Sequence, residues 1–440
     1  MGFMTIYDAA YMAAFPFYGG AMAWKRWRHG KYKESLPAMM GRHLPRDRAT
    51  RLMLAEPNRP IWIHAVSVGE AVAAAALARS LQLHMHNWPI VVSTVTETGQ
   101  AQARAAIGEL AEMIFYAPFD FSWNVRHFAN YFDPAAYVVM ETELWPNILL
   151  EMQRRRVPAF LVNGRLNDKS YNGYKKLNFA LRRPLRTFRA CLMQTEEDQD
   201  RIIDLGVSPK RVRVMGNCKF DALPEPMTPD ERSALRAQFG MNDEDFILVA
   251  GSTHPGEEEI IFAEIKAIRP RLEKKVRLRL IIAPRHPERF DEVADLAQKS
   301  GLRIGRFSDG RADSPDILIL DTMGQLARWF GIGDAAFVGG SLSDKIGGHN
   351  LLEPAAHGIP VLHGPYMYKQ PEIMKIINCF DAAIETKSPA DAIARLIDDP
   401  PLRERKAMAA REAAASTSGS ADKAARVIAR VVEHQNKAHP

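Results

Sequence analysis

The chain has 440 residues, too many for one ordinary domain, and this length predicts two domains that each bury their own core. Its 47% hydrophobic and 25% charged residues are typical of a folded protein and exclude a disordered or collagen-like chain. The three cysteines, Cys191, Cys218 and Cys379, have neither CxxC nor Cys/His ligand spacing. We therefore expect no disulfide framework, no metal site and no cofactor.

The net charge of +6 comes from the N-terminal end of the chain. The first 60 residues hold ten Lys and Arg against four Asp and Glu, and the remaining residues hold 48 of each sign. Because no basic stripe dominates the rest of the chain, nucleic acid is not expected as a partner.

An apolar and aromatic run from Tyr11 to Trp24 is followed by a basic cluster from Lys25 to Lys33. The run is shorter than the roughly 20 residues of a spanning helix, and a proline and two glycines interrupt it. We interpret residues 1–35 as a membrane anchor that lies at the interface with anionic lipid on its cytoplasmic side. The alternative is a helix that docks on the protein itself.

From residue 61 onward, short apolar runs alternate with helical stretches, which predicts βαβ units in parallel sheets. The rhythm breaks at 221–232, a stretch rich in Pro and acid, and then resumes. The predicted domains are therefore 36–222, a linker at 223–232, and 233–440 with a helical tail. The carboxyl ends of the two sheets are expected to surround one cleft, where open α/β sheets bind ligands. The predicted strands are 61–67, 90–95, 113–118, 136–141, 159–163, 190–194, 212–216, 246–253, 278–285, 317–322, 335–341 and 359–365.

In the second half, a buried strand leads into Gly339-Gly340 and Gly347-Gly348 and then into a helix near Asn350. Such a turn lets backbone approach a ligand phosphate. Glu353 is either the N3 residue of a capping box or an acceptor for ribose hydroxyls. The glycine pairs favour the ribose.

Three further strand ends carry groups that suit a nucleotide. Arg285 and His286 are flanked by prolines and offer donors to a phosphate or a base. Met323 and Gly324 could line a base pocket, and Ser252 and Thr253 precede a helix. There is no GxxxxGK[ST] and no GxGxxG with a later acid, so a P-loop or dinucleotide site is not supported. A mononucleotide site remains.

The first half carries the unusual carboxylates. Glu70 lies in the first turn of an Ala-rich helix, where it would compete with a bound phosphate. Glu141 and Glu143 follow a buried strand near a tryptophan, where desolvation would perturb their pKa. Lys219 precedes the linker. Each also has a simpler interpretation: Glu70 as a partner of the helix dipole, the two acids after the strand as a solvated pair, and Lys219 as a surface lysine.

Two stretches of the first half interleave basic and aromatic residues, at 115–132 and 175–189. The second has six basic residues among Leu and Phe. This pattern is typical of a surface on anionic lipid, of a site for a phosphorylated acceptor, or of a solvated helix face.

Taken together, SVGE (67–70), TETG (96–99), METELWPN, GNCKFD, STHPGEEE, PRHPERF, DTMGQL, FVGGS and GGHNLLEPAAHGIPVLHGP resemble the 3-deoxy-D-manno-octulosonic acid (Kdo) transferases of Gram-negative bacteria. The resemblance runs from the N-terminal segment to about residue 375. It implies an α/β, GT-B glycosyltransferase that inverts configuration as it moves Kdo from CMP-Kdo to the lipid A precursor, lipid IVA. It also implies a place at the cytoplasmic face of the inner membrane, with membrane lipid as a partner.

The resemblance also assigns residues. Glu70 matches the general base, whose pKa the helix dipole should lower, and Glu141 and Lys219 match residues that stabilise the transition state. Two positions depart from the pattern, Gln325 where an acid is common and Cys218 where an apolar residue is common, and either could alter nucleotide affinity modestly. The positions that match the CMP-binding segments are Pro284, Arg285, Met323, Gly324, Gln325, Asn350, Leu351, Leu352 and Glu353.

Two classes of alternative remain open. One is another GT-B enzyme, a UDP-sugar lipid glycosyltransferase or a sugar-nucleotide epimerase; an epimerase would keep full activity without residues 1–30. The other is a membrane-associated nucleotide-binding protein without catalysis, which would be indifferent to Glu70→Ala.

Overall fold

The structure is a computed structural model and describes residues 5–13, 24, 28, 35–42, 44–45, 58–310 and 314–438. It divides the chain into two compact units. The first unit is Met1–Ala222 together with Thr417–Pro440, and the second unit is Leu223–Ser416.

A sheet of seven parallel strands forms the centre of the first unit, in the order β3-β2-β1-β4-β5-β6-β7. Four of its strands, β1, β2, β4 and β5, are short and buried on both faces, as parallel sheets covered by helices require, whereas the edge strands β3 and β7 are partly exposed. Ile61 pairs with Ile90 on one side and with Ala136 on the other, so the direction of winding reverses between β1 and β4. The strands are β1 (Ile61–His64), β2 (Ile90–Thr94), β3 (Met113–Tyr116), β4 (Ala136–Met140), β5 (Ala159–Gly164), β6 (Phe188–Met193) and β7 (Val212–Val214).

Helices cover both faces of this sheet, and four of them begin with a side-chain cap. Ser67, Thr96 and Thr195 each accept a hydrogen bond from a backbone N–H of the first turn, the interaction that starts a helix after a strand. The helices of this unit are α1 (Ser35–Met39), α2 (Val68–His84), α3 (Glu97–Ile107), α4 (Ser122–Phe132), α5 (Pro146–Arg154), α6 (Asp168–Lys176), α7 (Asn178–Leu185) and α8 (Glu196–Asp204), with 3₁₀ turns at Pro209–Arg211 and Cys218–Ala222.

The second unit also contains seven parallel strands, in the order β10-β11-β9-β8-β12-β13-β14. The prediction of two parallel sheets is confirmed, but the sequence reading missed β10 and β14. Both are three-residue edge strands without a buried residue, so they carry no apolar run. The strands are β8 (Asp245–Thr253), β9 (Arg277–Pro284), β10 (Ile304–Arg306), β11 (Ile317–Ile319), β12 (Ala335–Val338), β13 (Val361–His363) and β14 (Ala383–Glu385).

The first helix of the second unit begins inside the predicted linker. At 228–231, Thr-Pro-Asp-Glu forms a capping box in which Thr228 and Glu231 bond each other's backbone, so a helix starts at Pro229. The helices are α9 (Pro229–Gln238), α10 (Glu257–Leu272), α11 (Phe290–Lys299), α12 (Leu326–Trp329), α13 (Leu352–Ala356), α14 (Pro371–Cys379), α15 (Pro389–Asp398) and α16 (Pro400–Ser416), with 3₁₀ turns at Pro287–Arg289, Phe307–Asp309 and Phe330–Ile332.

The last helix, α17 (Ser420–Ala438), belongs to the first unit, whereas the sequence reading placed the whole tail in the second domain. Its buried Ala421, Ala424 and Ala425 share one apolar cluster with the Ala-rich face of α2. Small side chains on both helices allow this packing. The sequence of α17 shows an apolar face, but such a face does not identify the unit that covers it. The carboxylate of Asp221 accepts hydrogen bonds from the N–H groups of Gly419 and Ala421, which fixes the start of α17.

The start of the chain docks on the first unit through polar contacts. Residues 6–13 are helical, and the Tyr7 hydroxyl donates to the carbonyl of Ala180 at 2.6 Å. The Asp8 carboxylate accepts from the Ser122 N–H at 2.7 Å, and the Tyr11 hydroxyl donates to Asp120 at 3.1 Å. For these residues the docked-helix alternative is the one observed. Most of the predicted anchor, 14–34 except 24 and 28, lies outside the described residues. Within the part of the chain that the structure describes, no helix has the length and apolar character needed to cross a bilayer.

Candidate active site

The two candidate carboxylates of the first unit follow the two strands between which the sheet reverses its winding. Glu70 comes six residues after the end of β1, and Glu141 directly follows β4. In open α/β sheets, ligands bind beyond the carboxyl ends of the strands at this reversal point. The topology therefore brings Glu70 and Glu141 to the position where such sheets carry their sites.

Glu70 is a buried carboxylate in the first turn of α2. Its Oε2 accepts the Val66 N–H at 2.8 Å, and its Oε1 accepts the Ser67 hydroxyl at 2.9 Å. Burial, with smaller contributions from the nearby carboxylates of Glu143 and Glu141, raises the pKa of Glu70 to about 7. The expectation that the helix dipole lowers this pKa is therefore wrong, because desolvation outweighs the favourable hydrogen bonds. A carboxylate with a pKa near 7 is well suited to accept a proton at neutral pH.

The turn that carries Glu70 is held by the start of α3. The Thr96 hydroxyl donates to the Val66 carbonyl at 3.2 Å. A Cβ atom at Gly99 would lie 2.7 Å from that same carbonyl oxygen, so only glycine allows this approach. The TETG segment thus fixes the backbone from which Val66 donates to Glu70.

Glu141 and Lys219 form an ion pair beside this turn. Lys219 Nζ lies 2.5 Å from Glu141 Oε1, and a Cβ atom at Gly69 would lie 3.2 Å from Lys219 Nζ. The ammonium group therefore occupies the space in which a side chain at Gly69, the residue before Glu70, would lie. Glu141 has a φ of 55°, a left-handed conformation that is uncommon for a residue with a side chain. The predicted base and the two predicted stabilising residues are thus brought together.

Glu143 lies in the same loop but has different partners. Burial raises the pKa of Glu143, and the Trp145 indole N–H donates to its Oε2 at 2.8 Å. The Tyr174 hydroxyl donates to the carbonyl of Thr142 at 2.9 Å and ties the loop to α6. The predicted effect of desolvation on this pair of acids is observed at Glu143.

Asn163 is a site residue that the sequence reading missed. It is buried, has a φ of 57°, and directly follows Val162, whose carbonyl accepts the Glu141 N–H at 3.0 Å. Its Oδ1 accepts the Cys218 N–H at 2.9 Å and so positions the 3₁₀ turn that carries Lys219. An Asn-Gly pair at the end of an apolar run was the available signal, since Asn tolerates left-handed backbone. Cys218 itself is buried in the apolar core of the first unit, where burial raises the pKa of its thiol to about 12.

The first unit contains a cavity of about 900 Å³ beside the docked segment at the start of the chain, which lines it with Thr5, Ile6 and Tyr7. Three guanidinium side chains line it, those of Arg126, Arg154 and Arg183. Arg154 is neutralised by Glu151 at 2.6 Å, and Arg126 bonds the carbonyl of Ser122 at 3.1 Å. This cavity therefore presents an excess of positive charge.

The second unit contains a cavity of about 370 Å³ at the ends of β8, β9 and β12. Six of the predicted nucleotide residues line it, and three do not. Leu351 and Leu352 are buried in the core, and Gln325 lies outside the lining at the start of α12. The six that line the cavity are Pro284, Arg285, Met323, Gly324, Asn350 and Glu353.

Glu353 and Asn350 are hydrogen-bonded within this cavity. The Asn350 Nδ2 donates to Glu353 Oε1 at 3.3 Å, and its Oδ1 accepts the Leu352 N–H at 3.0 Å. Burial raises the pKa of Glu353, and the Arg285 guanidinium opposes this shift. Ser252 also lines the cavity, with a φ of 56° where β8 shifts register. An acceptor, a cation and a small hydroxyl therefore face one pocket, while Thr253 is buried.

The glycine turn after β12 does not offer its amides to a ligand. The Glu257 carboxylate accepts the N–H groups of Gly340, Ser341 and Leu342 at 2.7, 3.0 and 2.9 Å, and also that of His254 at 3.0 Å. The expectation that Gly339-Gly340 cradles a phosphate is therefore wrong, because the chain's own carboxylate fills the backbone cradle.

The glycines of this turn are needed for close packing instead. A Cβ atom at Gly339 would lie 2.5 Å from the Ser252 carbonyl oxygen. One at Gly348 would collide with Met367. Among the described residues, no group of three or more His, Cys, Asp or Glu side chains is arranged to hold a metal ion.

Comparison with known proteins agrees with these motifs. A family model described as 3-Deoxy-D-manno-octulosonic-acid transferase (kdotransferase) matches residues 38–222. The 3-deoxy-D-manno-octulosonic acid transferase of Haemophilus influenzae is 35% identical over 344 residues, which are 78% of this chain and 79% of that protein. The enzyme of the same name from Bordetella pertussis is 32% identical over 410 residues, 90% of this chain and 92% of that protein.

Among solved structures, the UDP-GlcNAc 2-epimerase from Neisseria meningitidis bound to UDP-GlcNAc aligns with a TM-score of 0.55 at 14% identity, over 85% of this chain and 100% of that chain. This likeness shows the fold alone, the pairing of two Rossmann-like domains known as GT-B. The predicted family and fold class are confirmed. The chain belongs to the 3-deoxy-D-manno-octulosonic acid transferase family and is a glycosyltransferase.

Proposed function

We propose that this chain transfers Kdo from CMP-Kdo to a hydroxyl group of a lipid A precursor in lipopolysaccharide synthesis. The observation that carries the chemistry is the buried Glu70, with a pKa of about 7, beside the Glu141–Lys219 ion pair. The names of the relatives, which span most of this chain, support Kdo as the sugar.

Glu70 acts as the general base in this proposal. Its carboxylate takes the proton of the acceptor hydroxyl, and the resulting oxygen nucleophile forms a bond to the anomeric carbon of Kdo. The bond between that carbon and the phosphate oxygen breaks, its electron pair stays on CMP, and configuration at the carbon inverts. Lys219, held by Glu141, provides a fixed positive charge that stabilises the developing negative charge.

The second unit binds the nucleotide. Arg285 is suited to the phosphate because a guanidinium group offers several donors in one plane. Glu353 and Asn350 supply hydrogen-bonding groups for the ribose, and Met323 with Gly324 forms a wall for the base. Gln325, Leu351 and Leu352 support this pocket from outside its lining.

Replacing Arg285 with alanine should raise the KM for CMP-Kdo about tenfold or more, because one charge-assisted hydrogen bond is lost. Steady-state kinetics of transfer measure this change. Arg328→Ala is the matched control, since Arg328 is exposed on α12. An unchanged KM in Arg285→Ala would remove Arg285 from the donor site.

The acceptor is bound by the first unit. Its cavity with Arg126, Arg154 and Arg183 suits the phosphate groups of a lipid A precursor. Arg183 belongs to the basic stretch 175–189, where Leu177 and Phe179 are exposed. Basic and apolar groups side by side are typical of a surface that meets an anionic amphiphile. We place the protein at the cytoplasmic face of the inner membrane, where this surface and the part of the predicted anchor that follows residue 13 contact lipid.

The direct test incubates the purified chain with freshly generated CMP-Kdo and tetraacylated lipid A precursor, and resolves the products by mass. The expected result is a precursor that has gained one or more Kdo residues. A folded, CMP-binding protein that makes no product would contradict the proposal, and UDP-sugars would then be the donors to test.

The rate of transfer should rise with pH through about 7 and level off above it. Burial raises the pKa of Glu70 to about 7, so below this pH the carboxyl is protonated and cannot accept a proton. The measurement is kcat at saturating substrates between pH 5.5 and 9. A profile that is flat across pH 7 would assign proton transfer to another group or to a step that does not limit the rate.

A further inference from the structure

Two histidine rings of the second unit are hydrogen-bonded to each other at the nucleotide cavity. The Nε2 atoms of His254 and His349 lie 2.8 Å apart, and the two ring planes are within 5° of parallel, with their centroids 5.1 Å apart. His349 lines the cavity together with Arg285 and Asn350. Neither histidine has a role in the transfer as proposed above.

The rest of the fold fixes both rings in place. The backbone N–H of His254 donates to Glu257, the carboxylate that also organises the glycine turn. A Cβ atom at Gly340 would lie 3.1 Å from the His349 ring, so this glycine leaves room for the imidazole. The His286 ring packs edge-on against His254 at 5.3 Å. The pair is therefore part of an ordered cluster.

The contact between the rings restricts where their protons are. One Nε2 must carry the hydrogen and the other must accept it, so the two Nδ1 atoms are left with one N–H and one lone pair. One added proton gives an N–H group at both Nδ1 atoms and a net positive charge shared by the pair. The two Nδ1 atoms lie at opposite ends of the pair, so protonation ensures an N–H at Nδ1 of His349, the ring that lines the cavity, and adds a positive charge beside an anion bound there.

The surroundings keep the pair neutral at pH 7 in the absence of a ligand. Burial, with the neighbouring His286 and the positive charges of Arg285 and Lys369, lowers the pKa of both rings to about 4, and Arg289 adds to the shift at His254. Two carboxylates also face this region. Glu257 is engaged by backbone N–H groups, and Glu353 lines the cavity. An anion bound next to Arg285 opposes the cations and favours the protonated pair.

We propose that His254 and His349 act as one proton-sharing pair that binds the phosphate group of the sugar nucleotide and takes up one proton from solvent as that phosphate binds. This inference rests on the proposed function for the identity of the donor. It adds a binding element, and a dependence of donor affinity on pH, to the groups already assigned. Donor affinity should increase as the pH falls toward the pKa of the free pair.

Calorimetry of CMP and cytidine binding at pH 7, in two buffers of different ionisation enthalpy, counts the protons taken up. Wild-type protein should take up more protons with CMP than with cytidine, which has no phosphate. In His349→Gln the affinity for CMP should fall about tenfold, the extra proton uptake should be reduced, and cytidine should bind as before. Because the CMP phosphate can itself gain a proton on binding, the proton uptake of the variant is subtracted from that of the wild type. The difference is the uptake that depends on His349.

His434→Gln is the control, since His434 is exposed in the first unit, and it should match wild type in affinity and in proton count. A His349→Gln protein that binds CMP with wild-type affinity and proton count overturns the inference.

If His349→Gln also loses affinity for cytidine, the same measurement is made on His254→Gln. That substitution keeps the His349 ring, which lines the cavity, and removes only the ring to which His349 is hydrogen-bonded. Wild-type proton uptake in that variant overturns the inference, and reduced uptake supports it. A wild-type protein that binds neither probe overturns the proposed function as well, whereas CMP binding without extra proton uptake overturns the histidine pair alone.

Discussion

Glu70→Gln is expected to lower kcat about 100-fold to 10,000-fold, the range that general base catalysis contributes, while CMP still binds. The amide keeps the shape of the side chain and an oxygen for the Val66 N–H, but it cannot take a proton. Single-turnover transfer with saturating CMP-Kdo, resolved by mass, measures the loss.

Glu97→Gln is the matched control, because Glu97 lies in the first turn of α3 and is exposed. It should transfer at the wild-type rate. If Glu70→Gln retained wild-type turnover, the base would be another group. Glu143, whose pKa burial also raises, would then be the next candidate.

Glu257→Gln should destabilise the second unit by about 3 to 5 kcal/mol, a large effect for one substitution. The Glu257 carboxylate accepts four backbone N–H groups, two at each oxygen. A glutamine keeps only one acceptor oxygen and turns its own N–H groups toward two of these donors. Thermal and denaturant unfolding measure the loss of stability.

CMP binding should weaken in the same variant, because the turn that Glu257 holds leads to His349 and Asn350. Glu259→Gln serves as the control, since Glu259 lies in the same first turn of α10 and is exposed. Wild-type stability of Glu257→Gln would mean that these amides find other acceptors.

The features that could be predicted from the sequence are those that depend on a local pattern of residues, namely the buried strands and the motifs that follow them. Buried parallel strands are continuous apolar runs, so twelve were found, and motifs that follow such strands fall at the carboxyl ends of the sheets. The edge strands β10 and β14 have no buried residues and gave no signal. The helix α17 does have an apolar face, but that face does not show which unit it packs against, so α17 could not be assigned to a unit from its sequence.

The parts of the site that escaped prediction depend on contacts distant in sequence. The carboxylate of Glu257, 83 residues before Gly340, accepts the N–H groups of the glycine turn. The sequence of the turn alone predicts a phosphate site, because it does not show that these N–H groups already have an acceptor. Glu70 has a raised pKa because the fold buries it, while its place in the helix predicted the opposite sign. Asn163 acts on the Lys219 turn across 55 residues.

The return of the chain to the first unit affects the order in which the protein can fold during synthesis. The ribosome completes all of Leu223–Ser416 before residues 417–438 emerge, so the second unit has its full sequence before the first does. Until then the alanine face of α2 has no α17 to cover it and remains open to aggregation or to a chaperone. A fragment that stops at residue 222 would stay in that state, so an isolated first domain requires α17 to be supplied by fusion or by circular permutation.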